Sequence, residues 1–353
     1  MQQIRKATPG ILFCFSIAVP AWLLGKVFPM IGGPVFGILT GMLLAMFFPQ
    51  LQTTKLRCRC ANLTPACYML NDGVKYTSRN LLQYSIILLG FEMNLFNVIK
   101  VGSQSLYIML FTFSTAFMVA FLIGKALGLN GKMTTLIGVG TSICGGSAIA
   151  ATAPVIQAKD EDITHAISTI FLFNIAAIFI FPPLGHLLGM SDTGFGMWAG
   201  TAINDTSSVV AAATAWSEVA GNNNALAFAT IVKLTRTLMI VPITLVLAIY
   251  TTRQSKTTIE GTTFHFAKVF PWFVLGFVLA AIINTLAGIP GQVSHSLVTI
   301  GKFVIIMAMA AIGLNTQLKK LITNGFKPIL LGLCCWFAVA SVSLLVQLMA
   351  NIW

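Results

Sequence analysis

Gly140-Thr-Ser-Ile-Cys-Gly-Gly-Ser-Ala-Ile-Ala-Ala-Thr-Ala-Pro154 returns, at a constant shift of 60 residues, as Gly200-Thr-Ala-Ile-Asn-Asp-Thr-Ser-Ser-Val-Val-Ala-Ala-Ala-Thr214. Glycine, threonine, isoleucine, serine and two alanines coincide. Each copy sits inside a long apolar stretch. Yet its centre, Ser142, Cys144, Gly145, Gly146 and Ser147 in one and Thr201, Asn204, Asp205, Thr206, Ser207 and Ser208 in the other, is poor material for a uniform helix. Glycine weakens a helix, and short polar side chains compete for its backbone bonds. Backbone broken at membrane depth survives only where it is buried in protein or lines a cavity. Small residues also let helices pack closely, so a single copy would be ambiguous. A matched pair points to two loops at a repeat interface, where helix N-termini offer N–H groups to an anion and unwound carbonyls can hold a cation.

The rest of the chain demands a bilayer. Of its 353 residues 57% are hydrophobic and 8% charged, against about 25% charged in a soluble domain. A spanning helix needs about 20 apolar residues. Apolar segments fall at 8–28, 31–49, 79–98, 104–127, 133–157, 163–188, 196–217, 225–250, 268–289, 297–318 and 327–350. The fold class read from this pattern is an all-α polytopic membrane protein of about 9–11 transmembrane helices, with inverted repeats, two broken or re-entrant helices and no separate soluble domain. Core elements are expected at 79–250 and 297–350, the remaining spans forming a panel.

The formal net charge of +12 is carried by cations scattered singly through loops. Scattered cations are a topology signal, not the basic face with interleaved aromatics that nucleic acid requires. Lys55, Arg57, Arg59 and Lys75, then Arg253, Lys256 and Lys268, then Lys319, Lys320 and Lys327 mark cytoplasmic loops by the positive-inside rule. The expected location is a bacterial inner membrane, with a cytoplasmic N-terminus and a periplasmic C-terminus. Cys58 and Cys60 have no zinc-ligand partners at the required spacing. No metal or cofactor is expected, and phosphate loops and nucleophile elbows are absent, so an enzyme is the least supported class.

A second internal match aligns Gly90, Leu95, Ile99 and Gly102 with Gly313, Leu318, Ile322 and Gly325. Its halves start on opposite sides under this topology and so form an inverted repeat. For the first match two topologies stay open. As full spans, 133–157 and 196–217 run parallel; as re-entrant hairpins, they are inverted. Lys159 beside Asp160, Glu161 and Asp162 does not decide between them.

Asp205 is the sharpest single residue. A carboxylate at mid-span costs about 2.5–3.5 kcal/mol on insertion scales, so it should be paired, protonated or wet. The expected partners are Lys233 and Arg236, one turn apart on an otherwise apolar segment. Two cations facing one acid leave a positive surplus that attracts an anion, or that a deprotonated lysine relieves. A structural salt bridge is the plainer reading. Glu92, whose repeat counterpart is Asn315, either faces the site or ends its helix in headgroup water.

The runs Thr-Ser-Ile-Cys-Gly-Gly-Ser-Ala-Ile-Ala-Ala, Ser207-Ser208-Val-Val-Ala-Ala-Ala and Val232-Lys233-Leu-Thr-Arg236-Thr-Leu-Met resemble the YeiH-like membrane proteins, described as sulfate exporters. The resemblance covers nearly the whole chain. It implies membership in the assembly of cation/proton antiporters and bile-acid-type symporters, with core and panel domains, two broken helices meeting at mid-membrane, and homodimerisation. Where the family pattern has Gly-Phe-Arg this chain has Gly90-Phe91-Glu92, and where it has His-Glu this chain has Asn204-Asp205. The expected function is therefore a secondary transporter of a small anion such as sulfate or an organic sulfonate, coupled to H⁺ or Na⁺. Its rivals are a Na⁺/H⁺-type antiporter using Asp205 and Glu92, and a channel or sensor.

Overall fold

The computed structural model describes residues 2–28, 32–47, 64–240, 242–243, 246–247, 272–316 and 325–353. Every regular element among them is helical. In chain order these are α1 (Gln2–Val27), α2 (Gly33–Phe47), α3 (Thr64–Tyr76), a π turn (Thr77–Leu81), α4 (Leu82–Leu89) and a 3₁₀ turn (Gly90–Glu92). There follow α5 (Leu95–Ala126), α6 (Gly131–Ser142), α7 (Gly146–Thr152), α8 (Asp160–Leu187), α9 (Asp192–Ala202), α10 (Thr206–Ala220) and α11 (Asn224–Leu238). The last three are α12 (Trp272–Ala287), α13 (Gly291–Asn315) and α14 (Phe326–Met349). The loop cations Lys55, Arg57, Arg59, Arg253, Lys256, Lys268, Lys319 and Lys320, like Cys58, Cys60 and the repeat positions Leu318 and Ile322, lie outside the described residues.

Among the described residues five helices are long and apolar enough to cross a bilayer: Ala7–Val27, Leu95–Ala126, Glu161–Leu187, Gly291–Asn315 and Phe326–Met349. Two shorter apolar helices, α2 and α12, join them. The chain is thus a multi-pass α-helical membrane protein.

Three segment boundaries differ from the hydropathy pattern, each for a local reason. The polar interval at 98–104 does not interrupt α5, which runs 32 residues from Leu95. Lys100, Ser103 and Gln104 are exposed while Val101, Gly102 and Ser105 are buried, so the polar residues occupy one face of a continuous helix. The connection at 50–78 contains α3, and α13 begins at Gly291, six residues ahead of its apolar segment.

The contacts divide the chain into two compact units. The first comprises residues 1–98, 210–226 and 273–318; the second comprises 99–209, 227–272 and 319–353. Segments 79–98 and 297–318, expected with the core, fall in the first unit.

The first unit is held by close helix packing. α2 and α13 touch through glycine: a Cβ on Gly41 would strike the Ala310 carbonyl, and one on Gly313 the Ile38 carbonyl. Such contact is the packing that small residues permit inside a bilayer. In the second unit α9 is buried from Gly194 to Ala202 and anchored by aromatics. The Trp198 ring stacks on Phe181 of α8 at 4.1 Å, and its Nε1 donates to the Ala340 carbonyl of α14 at 3.1 Å. Thr201 Oγ1 and Ser343 Oγ add a 2.6 Å bond between α9 and α14. These contacts fix the place where α9 stops.

Candidate functional site

Both glycine-serine runs are broken, at equivalent positions. α6 ends at Ser142; Ile143 leaves helical geometry at φ −110°, ψ −92°, and Gly145 turns the chain at φ +71°, ψ −128° before α7 begins at Gly146. α9 ends at Ala202, Ile203 is extended at φ −84°, ψ 132°, and α10 begins at Thr206. Under the 60-residue shift Cys144 and Gly145 align with Asn204 and Asp205, so the two interruptions are one feature used twice.

A helix end leaves carbonyls without partners, and α11 supplies cations to them. Lys233 Nζ donates to Ile143 O at 2.9 Å and to Ile203 O at 3.1 Å, reaching both breaks at once. Arg236 Nε donates to Ser142 O at 2.6 Å, Nη1 to Thr201 O and Nη2 to Thr141 O. Both side chains are wholly buried. Burying an ion costs several kcal/mol. Hydrogen bonds to a charged group return about 1.5–3 kcal/mol each, and cations at helix C-termini gain up to about 2 kcal/mol more. The two bonds of Lys233 and the three of Arg236 offset that cost.

The expected pairing of Asp205 with these cations is corrected by this arrangement. Among the described residues no salt bridge reaches Asp205; the orphaned carbonyls take the cations instead. Asp205 is the N-cap of α10, its Oδ2 accepting the Ser207 N–H at 3.0 Å and the Ser207 hydroxyl. Its own N–H donates to Asn174 Oδ1 at 3.2 Å, from the middle of α8. A Cβ built on Gly145 would lie 3.5 Å from Asn174 Nδ2 and 3.8 Å from Asp205 Cβ. Asn174 therefore bonds the second break and lies beside the first, and Lys233 ties the two together.

Exposure sorts the predicted residues into two layers. Ser142, Asn204, Lys233 and Arg236 are 0% exposed and Cys144 is 2% exposed, whereas Gly146, Asp205 and Thr206 are partly open and Ser147 is exposed. Ser207 and Ser208, each 5% exposed, stand between the layers. Ser147 Oγ lies 3.0 Å from Cys144 Sγ. Both amide atoms of Asn204 are buried without a partner among the described residues. A buried amide left this way costs about 1–3 kcal/mol, which marks a place where a ligand or water belongs.

Glu92 and Asn315 belong to the first unit, where Asn315 is the exposed last residue of α13 and Glu92 ends the 3₁₀ turn. Glu92 accepts from Asn223 Nδ2 at 2.9 and 2.8 Å, so it does not simply end its helix in headgroup water. Lys302 of α13 donates to Asn223 Oδ1, and Glu218 of α10 accepts the Gly33 N–H at 3.1 Å. Sequence reading passes over Asn223, Glu218 and Lys302, although a lysine near the midpoint of an apolar helix was a legible signal.

An all-helical, multi-spanning chain with two interrupted helices joined by buried cations defines a polytopic membrane protein. The chain belongs to the family described as conserved hypothetical protein 698, whose model matches residues 9–332. It is 51% identical over 348 residues, 98% of each chain, to a UPF0324 membrane protein of Streptococcus pyogenes serotype M18. A UPF0324 membrane protein of Streptococcus agalactiae serotype V is 47% identical over 352 residues, 99% of each chain. One from Fusobacterium nucleatum is 48% identical over 353 residues, 96% of each.

Proposed function

We propose that the chain is a secondary carrier of a small anion, such as sulfate or an organic sulfonate, working by alternating access and coupled to H⁺ or Na⁺. The observation that carries this reading is the pair of buried cations, Lys233 and Arg236, set behind an accessible layer of Gly146, Ser147, Asp205 and Thr206. The ammonium has three N–H groups and the guanidinium five. Two and three of these are spent on described carbonyls. The cations therefore act chiefly as a fixed positive field, while the Ser147 hydroxyl, released from the Cys144 carbonyl, and the α10 amides that Asp205 does not take offer donors to the solute. Asp205 stands where solute charge and coupling ion meet. The resemblance to the YeiH-like proteins supports both the cargo class and the antiporter-like assembly.

The test is a thermal-shift series in detergent over sulfate, sulfite, sulfonates, carboxylates and Na⁺, since a ligand held by the native state raises its apparent stability. Ser147→Ala should fold as the parent does and lose most of the anion-dependent shift. A parent that no anion stabilises, and that moves none in proteoliposomes, removes the reading.

A second reading has one observation in its favour. Carbonyls occupy both cations, which leaves Asp205 as the partly open charge at the breaks. A Na⁺/H⁺-type antiporter would use that carboxylate alone. Proton release when Na⁺ is added without any transportable anion, abolished in Asp205→Asn, would favour it.

A further inference from the structure

Between Lys132 and Lys159 the sequence holds no Asp, Glu, Lys, Arg or His, while Lys125, Lys132, Lys159 and Glu161 are all exposed. Charges are costly at membrane depth, so these four mark a surface on either side of an uncharged stretch. The helices that flank the stretch, α5 and α8, are both long and apolar enough to cross a bilayer. Asn130, just past the end of α5, donates from Nδ2 to Asp162 Oδ2, in the first turn of α8, at 3.2 Å. α5 therefore ends, and α8 begins, on one face of the membrane. The chain between them must return to the face it left.

We propose that residues 131–158 do not cross the membrane but re-enter it from that face, carrying the Ile143–Gly145 break to mid-depth on the tip of a helical finger. The two limbs run antiparallel in one register. Lys132 Nζ donates to Gln157 O at 2.7 Å, and a Cβ on Gly140 would lie 2.9 Å from Ile149 Cδ1. Both pairs are centred on the Cys144–Gly145 peptide. The Gly145 N–H closes the tip on Gly140 O at 2.9 Å, and Gln157, left-handed at φ +50°, ends the returning limb. Length excludes a double crossing. α6 has 12 residues, which reach about 18 Å at 1.5 Å per residue, against about 30 Å of hydrocarbon. The returning limb pairs with α6 in register and is no longer. Leu136, Ile137, Ile149, Ala153 and Ile156 join Ala166 and Ile170 of α8 in one apolar cluster, which seats the finger on that helix. Lys132 and Asn130 fasten its base, while Lys233 and Arg236 hold the carbonyls of Ile143, Ser142 and Thr141 at its tip. The finger stands without the carrier reading; its service as a wall of the solute site rests on that reading.

The test is cysteine labelling of the full chain by a membrane-impermeant maleimide in sealed vesicles of both orientations, each variant read by intact mass against the parent so that the native thiols cancel. Lys125→Cys and Lys159→Cys should label from one and the same face, and Leu188→Cys, exposed past the far end of α8, from the other face only. Blocking the first face beforehand should abolish labelling of the first two variants and leave the third unchanged. Should Lys159→Cys not fold, Glu161→Cys, exposed in the first turn of α8, takes its place. Labelling of the two lysine positions from opposite faces would mean a crossing and overturns the finger. A base that labels from neither face overturns it as well, since it would then lie within the bilayer. The sulfate-dependent thermal shift of the parent reports on the carrier reading separately, so either idea can fail alone.

Discussion

Arg236 spends all three guanidinium nitrogens on the carbonyls of Thr141, Ser142 and Thr201, at the ends of α6 and α9. That makes it a joint between helices before it is a ligand for anything. Lysine keeps the charge but not the planar fork, so Arg236→Lys should strand one or two carbonyls at about 1–3 kcal/mol each. The expected result is a clearly lower apparent Tm in detergent, with anion-dependent stabilisation partly kept. Asp205 separates two roles more cleanly. Asn caps a helix about as well as Asp, so Asp205→Asn should retain parental stability to within about 1 kcal/mol while, on the carrier reading, weakening the coupling of solute uptake to the ion. Asp205→Ala should lose the cap as well, costing about 1 kcal/mol. Equal Tm values for the Asn and Ala variants would contradict the capping role.

The interruption is a property of each element, written into a few residues. Gly145 occupies φ +71°, ψ −128°, a region that side chains rarely adopt, and its Cβ would meet Ile170 at 3.4 Å. Gly145→Ala should cost about 1–3 kcal/mol, whereas Gly146→Ala, whose Cβ has nothing within 4 Å, should leave apparent Tm nearly unchanged. Similar losses at the two positions would mean that the break does not depend on the turn at Gly145. The doubled motif made both interruptions legible in the sequence, because close helix packing can explain one such run but not two copies in the same register. Which partners Lys233 and Arg236 choose was not legible: carbonyls belong to every residue, and only the folded backbone shows which are orphaned. The tie of Asn174 to Asp205 escaped for a related reason, since a lone asparagine on α8 carries no pattern. Nor could hydropathy see that α5 passes through Lys100 and Gln104, because an average over a window discards the face each residue occupies.

Across the whole molecule, hydropathy was enough to establish a multi-pass helical chain. The loop charges that would orient the termini lie largely outside the described residues. Within the first unit the α2–α13 contact has no room for a side chain at Gly41 or Gly313. Gly313→Leu should force those helices apart, at about 1–3 kcal/mol or more, and lower the yield of monodisperse protein on size-exclusion chromatography; a parental elution profile and Tm would contradict the close contact. The open volume beside Gly146 has the opposite meaning. On the carrier reading, enlarging that residue step by step, without rebuilding the turn next to it, would narrow the set of solutes admitted while the scaffold stays intact. A change of cargo would then be recorded at position 146 long before it is recorded at Lys233 or Arg236.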